Sequence, residues 1–200
     1  MPASAEKAKP AQARIATRDR ILTAAHALFY RDGLRTVTLD AIGAEAGVTK
    51  KTIYYHFRNK DALIEAYLAS RDQPTLEYYK VCFHWAEGDL ATKIEAIFQR
   101  SARFAEDPRW RGCMFQRAAA ELADTPEHAA LGHGAAHKTR LETWLTDAIA
   151  ETRPRDAVVL ARQISVLIDG LNAAMLLRRD PTYATVAGRA AAALVRGAAR

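Results

Sequence analysis

Between Thr38 and Phe57 the chain reads TLDAIGAEAGVTKKTIYYHF, and Lys50, Lys51, Thr52, Tyr54, Tyr55 and His56 crowd together near its end. These side chains do not make a set of nucleophile, base and oxyanion donor. They are donors and flat polar rings suited to the edges of bases and the oxygens of phosphates. A lysine in the first turn of a helix can approach O6 and N7 of guanine in a major groove, and a threonine can meet the methyl group of thymine. Tyr55, His56 and Lys60, with the hydroxyls of Thr38 and Thr49, are spaced to grip phosphates. The chemistry expected here is recognition of double-stranded nucleic acid.

Such residues need a frame that presents one helix to a groove. Ile21, Leu22, Ala25, Leu28 and Phe29 fall at helical spacing, and Gly33 ends that first helix. Thr38 caps a short second helix with Leu39, Ile42 and Ala46 inward, and Thr49 caps a short third with Ile53 and Phe57 on its inner face. The tight turn at Ala46-Gly47-Val48, where Gly47 takes a positive φ, joins them into a helix-turn-helix. Asn59 caps a fourth helix, bent at Pro74 and running to about Trp85. Further helices are expected over 90–104, 112–122 and 127–151, then from Pro154 and from Asp180-Pro181 onward. Period-two alternation and internal repeats are missing, so the expected fold is all-α with about nine helices. Residues 1–14, rich in Ala, Lys and Pro, read as a disordered basic tail, 15–60 as the DNA-binding head and 61–200 as a helical body.

Charge agrees with this division. The whole chain carries +6, and residues 1–60 hold eleven Lys and Arg against five Asp and Glu. The other residues hold eighteen of each, so the entire excess sits at the end expected to meet a polyanion.

The run from Phe29 to Lys60, FYRDGLRTVTLDAIGAEAGVTKKTIYYHFRNK, closely resembles the N-terminal signature of TetR-family transcriptional regulators. The resemblance implies that Thr38, Lys50, Thr52, Tyr54, Tyr55, His56 and Lys60 contact DNA. Lys51 departs from the Gly, Ala or Pro usual at that position and adds a base or phosphate contact of its own. RGCMFQRAAAEL (Arg111–Leu122) and Asp169-Gly170-Leu171 are similar to landmarks in the sixth and eighth helices of one large subgroup. The family's regulators are ligand-binding homodimers, usually repressors, and that layout implies a four-helix interface made by the last two helices of each copy.

Independent features support the body's expected roles. Gly170, Ala173, Ala174, Gly188 and Ala190 to Ala193 are small enough for close helix packing, whether against a second copy or within the monomer core. Tyr79, Phe83, Phe98, Phe104, Met114, Phe115, Trp144 and Asn172 are expected walls of a largely apolar pocket for a small-molecule effector. A ligand-independent architectural DNA-binding protein stays open as an alternative.

Other classes find little support. GxSxG, GxxxxGK[ST] and HExxH motifs do not occur, so an enzyme is not expected, and one using the helical pocket stays only as the less favoured alternative. Cys82 and Cys113 lack metal spacing and read as core thiols of a reduced, cytoplasmic protein, with a redox-sensing role left open. His128, His133 and His137 read as solvated surface rather than a metal site, and no cofactor is expected. A secretory signal and a membrane span are not expected either, since no stretch of about eighteen uninterrupted apolar residues occurs.

Overall fold

The computed structural model describes residues 3–197. Nine helices and no strand occur among the described residues: α1 (Ala3–Asp32), α2 (Leu39–Ala46), α3 (Lys50–His56), α4 (Lys60–His84), α5 (Leu90–Glu106), α6 (Met114–Glu121), α7 (Ala130–Ala150), α8 (Ala157–Arg178) and α9 (Thr182–Gly197). Residues 3–14, expected to be irregular, instead continue α1. Ala, Glu, Lys and Gln are strong helix formers, and the packed stretch from Ile21 supplies a nucleus from which the helix extends.

Local chemistry sets the helix ends as expected. Thr38 Oγ1 accepts the Ala41 amide (3.1 Å), Thr49 Oγ1 accepts that of Thr52 (3.2 Å), and Asn59 Oδ1 accepts that of Ala62 (2.8 Å). Gly47 closes α2 at φ 63°, with its amide bonded to the Ala44 carbonyl and the Val48 amide to that of Gly43. Gly43 is required for a different reason. A Cβ on it would stand 2.8 Å from the Val48 carbonyl oxygen, so α2 can reach the turn only at a residue without a side chain.

Two hydrophobic cores result. The head core joins Ile21, Leu28, Phe29, Ile42, Ile53 and Phe57 to Leu63, Ile64, Tyr67 and Leu68 of α4. It therefore extends beyond the boundary expected at residue 60. It also takes in Phe115 and Ala118 of α6 and Leu122, which caps that helix. The body core lies among α4, α5, α7, α8 and α9, with Ile94, Ile97, Phe98, Leu141, Leu145, Ile149 and Ile164 fully buried. α9 lies close on α5, where a Cβ on Gly188 would meet Phe98 Cβ at 3.1 Å. Gly188, Ala191 and Ala192 therefore face inward, while Gly170, Ala173, Ala190 and Ala193 are exposed. α8 is long and apolar enough by length and mean composition to cross a membrane, but Arg162, Gln163 and Asp169 interrupt its apolar run and its buried residues close the monomer core.

His137 is not solvated surface. It is 1% exposed, stacks on Phe115 with centroids 4.2 Å apart, and its Nδ1 lies 2.8 Å from Asp72 Oδ1. His128 is also half-buried, against Asp61. α4 brings these carboxylates to α7 across a separation in sequence that helical spacing cannot reveal. Burial lowers the His137 pKa despite the Asp72 hydrogen bond. Burial would raise that of Asp72, but hydrogen bonds from His137 and Arg140 outweigh it and hold the carboxyl low.

Gly43→Ala is expected to destabilise the fold by about 1–3 kcal/mol in denaturant unfolding, because backbone crowding outweighs the roughly 1 kcal/mol gained in helix propensity. Gly132→Ala, whose Cβ would meet nothing within 4 Å, is expected to be neutral or mildly stabilising. The buried histidines set a pH dependence. With folded pKa values below the unfolded value of about 6.5, stability is fully present above that pH and declines as pH falls from there toward the folded values. The unfolding midpoint should drop between about pH 7.5 and pH 5.5, and His137→Gln should make that drop smaller.

Candidate functional site

α3 stands out from the head because everything behind it is packed. Ile53 and Phe57 anchor its inner face in the head core. Arg20 of α1 donates to the Ala46 (2.6 Å) and Gly47 (3.2 Å) carbonyls, which holds the turn onto α1. The guanidinium of Arg18 sits over the Phe57 ring at 5.1 Å. Lys50, Lys51, Tyr54 and Tyr55 are exposed, Tyr55 at 72%. Thr52 and His56 are half-buried, and Thr52 Oγ1 is 2.9 Å from Thr49 Oγ1.

Two of the expected lysines have intramolecular partners. Lys50 Nζ lies 2.7 Å from Asp40 Oδ2 of α2, an exposed pair that water and salt weaken and that a phosphate or base can replace. Lys60 Nζ donates to the Arg35 carbonyl (3.1 Å), and its burial lowers its pKa. The structure thus places Lys60 against the α1–α2 turn rather than on the open face. Sequence reading passed over Arg14 and Arg18. Burial, followed by the charges of these two α1 residues, lowers the pKa of His56, so α1 contributes to the same basic face. Their clustering in the N-terminal charge excess was the available signal.

A cavity of about 380 Å³ lies between head and body. Tyr79, Phe104, Met114, Phe115 and Asn172 line it. Phe83 and Phe98 instead belong to the body core, and Trp144 packs edge-on against Phe83 with centroids 5.6 Å apart. Helical spacing identifies an inward face without saying whether it meets a cavity or a neighbouring helix. Further lining residues that were not anticipated include His26, Tyr30, Arg71, Tyr78 and Trp110. His26 and Tyr30 lie one turn apart on α1, but only the fold turns that face toward the body. Cys113 also lines the cavity, while Cys82 is buried, which pushes its thiol pKa up.

Hydrogen bonds join this cavity to the head. The Arg111 amide donates to Tyr30 Oη (2.9 Å), which donates to the Gly112 carbonyl (3.2 Å), and Arg117 donates to the Tyr30 carbonyl (2.6 Å). Glu121 Oε2 accepts the Leu34 amide (2.6 Å) and the Arg35 amide (3.2 Å). Arg35 in turn donates to the Glu121 carbonyl and pairs with Asp124.

The model of bacterial regulatory proteins of the tetR family matches residues 21–67, and that of the tetracyclin repressor-like C-terminal domain matches residues 91–191. The HTH-type transcriptional regulator SrpR of Pseudomonas putida is 45% identical over 58 residues, 29% of this chain and 27% of SrpR. TtgW of the same species is 45% identical over 58 residues, 29% of this chain and 43% of TtgW. The matches therefore span less than half the length of these curated relatives. Among solved structures, SCO4454, a TetR-family transcriptional regulator from Streptomyces coelicolor, superposes with a TM-score of 0.80 at 29% identity, covering 92% of this chain and 96% of that one. A TetR transcriptional regulator from Chloroflexus aurantiacus shares the fold, with a TM-score of 0.78 at 23% identity over 92% and 96% of the two chains. Two family models thus account for the head and for most of the body, and the chain belongs to the TetR family of transcriptional regulators.

Proposed function

We propose that this regulator binds a palindromic DNA operator in the cytoplasm as a homodimer, represses transcription there, and is released by a small, largely apolar effector bound in the cavity. The observation that carries the reading is the linkage of an exposed, basic and aromatic α3 face to the cavity through α6. α6 supplies cavity wall at Met114 and Phe115 and head core at Phe115, Ala118 and Leu122. An effector that favours one packing of α6 shifts the angle of the head, because packed interfaces have discrete arrangements.

The outer faces of α8 and α9 support a dimer. Val159, Val166 and Leu177 on α8 and Val186 on α9 are large apolar residues left exposed, Val166 at 64% and Leu177 at 82%. Together with the exposed Gly170, Ala173, Ala190 and Ala193 they form a low, apolar surface on which a second copy packs closely. A two-fold axis there sets two heads on half-sites about one turn of DNA apart, or a multiple of it.

Footprinting on the DNA flanking the protein's own gene should reveal a protected palindrome, with affinity falling steeply as salt rises. Lys51→Ala and Tyr55→Ala should each weaken operator binding about tenfold or more without changing the unfolding midpoint. Salt-sensitive binding without a preferred site would contradict the operator reading. Val166→Glu should convert a dimer measured by light scattering into a monomer and reduce operator affinity with it, whereas an unchanged mass would count against this interface.

A further inference from the structure

The cavity's polar groups are unevenly balanced. Its walls are mostly aromatic and apolar, with Phe104 stacked on Trp110 (6.2 Å between centroids, 6° between planes) and packed against Tyr78 (5.2 Å). Within this lining Arg71 of α4 carries a full positive charge, and its Nε is buried with no hydrogen-bond partner among the described residues. His26 of α1, held by its stacking on Tyr67, likewise has a buried Nδ1 with no partner. Among the described residues, no Asp or Glu lines the cavity. Asp72, next to Arg71 in sequence, is engaged with His137 and Arg140, and Asp169 with Lys138. The neighbouring guanidinium groups are engaged as well, Arg111 with the Pro108 carbonyl and Arg117 with that of Tyr30.

An unpartnered donor on a charged group in apolar surroundings is costly, and it is relieved by an acceptor of opposite charge. A planar carboxylate matches the guanidinium fork, and its negative charge balances that of Arg71, the charged side chain in the lining. We infer that the cavity takes a small aromatic carboxylate, its anionic group paired with Arg71 and in reach of His26, and its ring lying among Tyr78, Phe104 and Trp110. Resting on the effector reading above, this also supplies a route to the head, because Arg71 stands on α4 and His26 on α1, and one anion held by both draws the two helices together.

The test titrates the full-length protein with 2-naphthoate and with its neutral isostere 2-naphthamide by calorimetry, using wild type, Arg71→Met and Arg71→Lys. The expected result is saturable binding of one 2-naphthoate per protomer, at least tenfold weaker binding of 2-naphthamide, at least tenfold loss in Arg71→Met, and partial retention in Arg71→Lys. The ligand-free Arg71→Met protein should unfold at the same temperature as wild type or higher, since it no longer buries an unpartnered Nε donor. Equal affinity for acid and amide in wild type, unchanged 2-naphthoate binding in Arg71→Met, or no saturable 2-naphthoate binding at millimolar concentration would each overturn the inference. The acid–amide comparison needs no variant to fold. Operator binding measured in parallel separates the two readings. Arg71-dependent 2-naphthoate binding that leaves operator affinity intact upholds the anion site and removes its regulatory role. Operator release by a neutral compound with 2-naphthoate inert does the reverse.

Discussion

α6 belongs to two cores at once, and the working of the molecule depends on that sharing. Phe115, Ala118 and Leu122 are as much a part of the head as Ile42 or Ile53, yet Met114 and Phe115 also bound the cavity. The hydrogen bonds of Tyr30, Arg117 and Glu121 fix the register of this seam at both ends of the helix. A close-packed interior passes a displacement on instead of absorbing it, so cavity occupancy and head orientation are not independent variables. The seam is short and rich in charged hydrogen bonds, among them Arg117 to the Tyr30 carbonyl and the Leu34 and Arg35 amides to Glu121.

The recognition helix owes its exposure to constraints on its hidden side. α3 is only seven residues long and would not persist alone in water. It persists because Thr49 caps it, Ile53 and Phe57 bury it, Gly43 and Gly47 let α2 and the turn close beneath it, and Arg20 ties the turn to α1. With stability supplied from behind, its front is free to carry lysine and tyrosine side chains that contribute nothing to folding. Asp40 partly neutralises Lys50 in the absence of DNA, and Arg14 and Arg18 widen the positive field from α1.

Buried polar groups divide into two kinds. His137 and Asp72 satisfy one another and join α7 to α4, with Arg140 completing the pair, so they act as a structural tie. His26 and Arg71 lie on neighbouring elements and are left unsatisfied in the wall of a cavity. The first arrangement stabilises one packing, and the second leaves binding energy for another molecule to supply.

What the sequence determined by itself was everything governed by short range. The helix caps at Thr38, Thr49 and Asn59, the left-handed Gly47, the outward face of α3, the all-α class and the location of the charge excess all follow from residue type and spacing over a few positions. Local rules also misjudged residues 3–14, where helix propensity and an adjoining nucleus prevailed over the Pro and charge that suggested disorder. Relations between distant segments were decided only by tertiary structure. Periodicity marked Phe83, Phe98 and Phe104 alike as inward, and the fold alone made two of them core and one a cavity wall. It likewise turned Gly188 toward α5 rather than a partner, buried His137 against Asp72, and set His26 beside Arg71. The physical reason is that a helix reports which of its faces is apolar within one or two turns of chain, whereas what that face meets depends on the packing of elements tens of residues away.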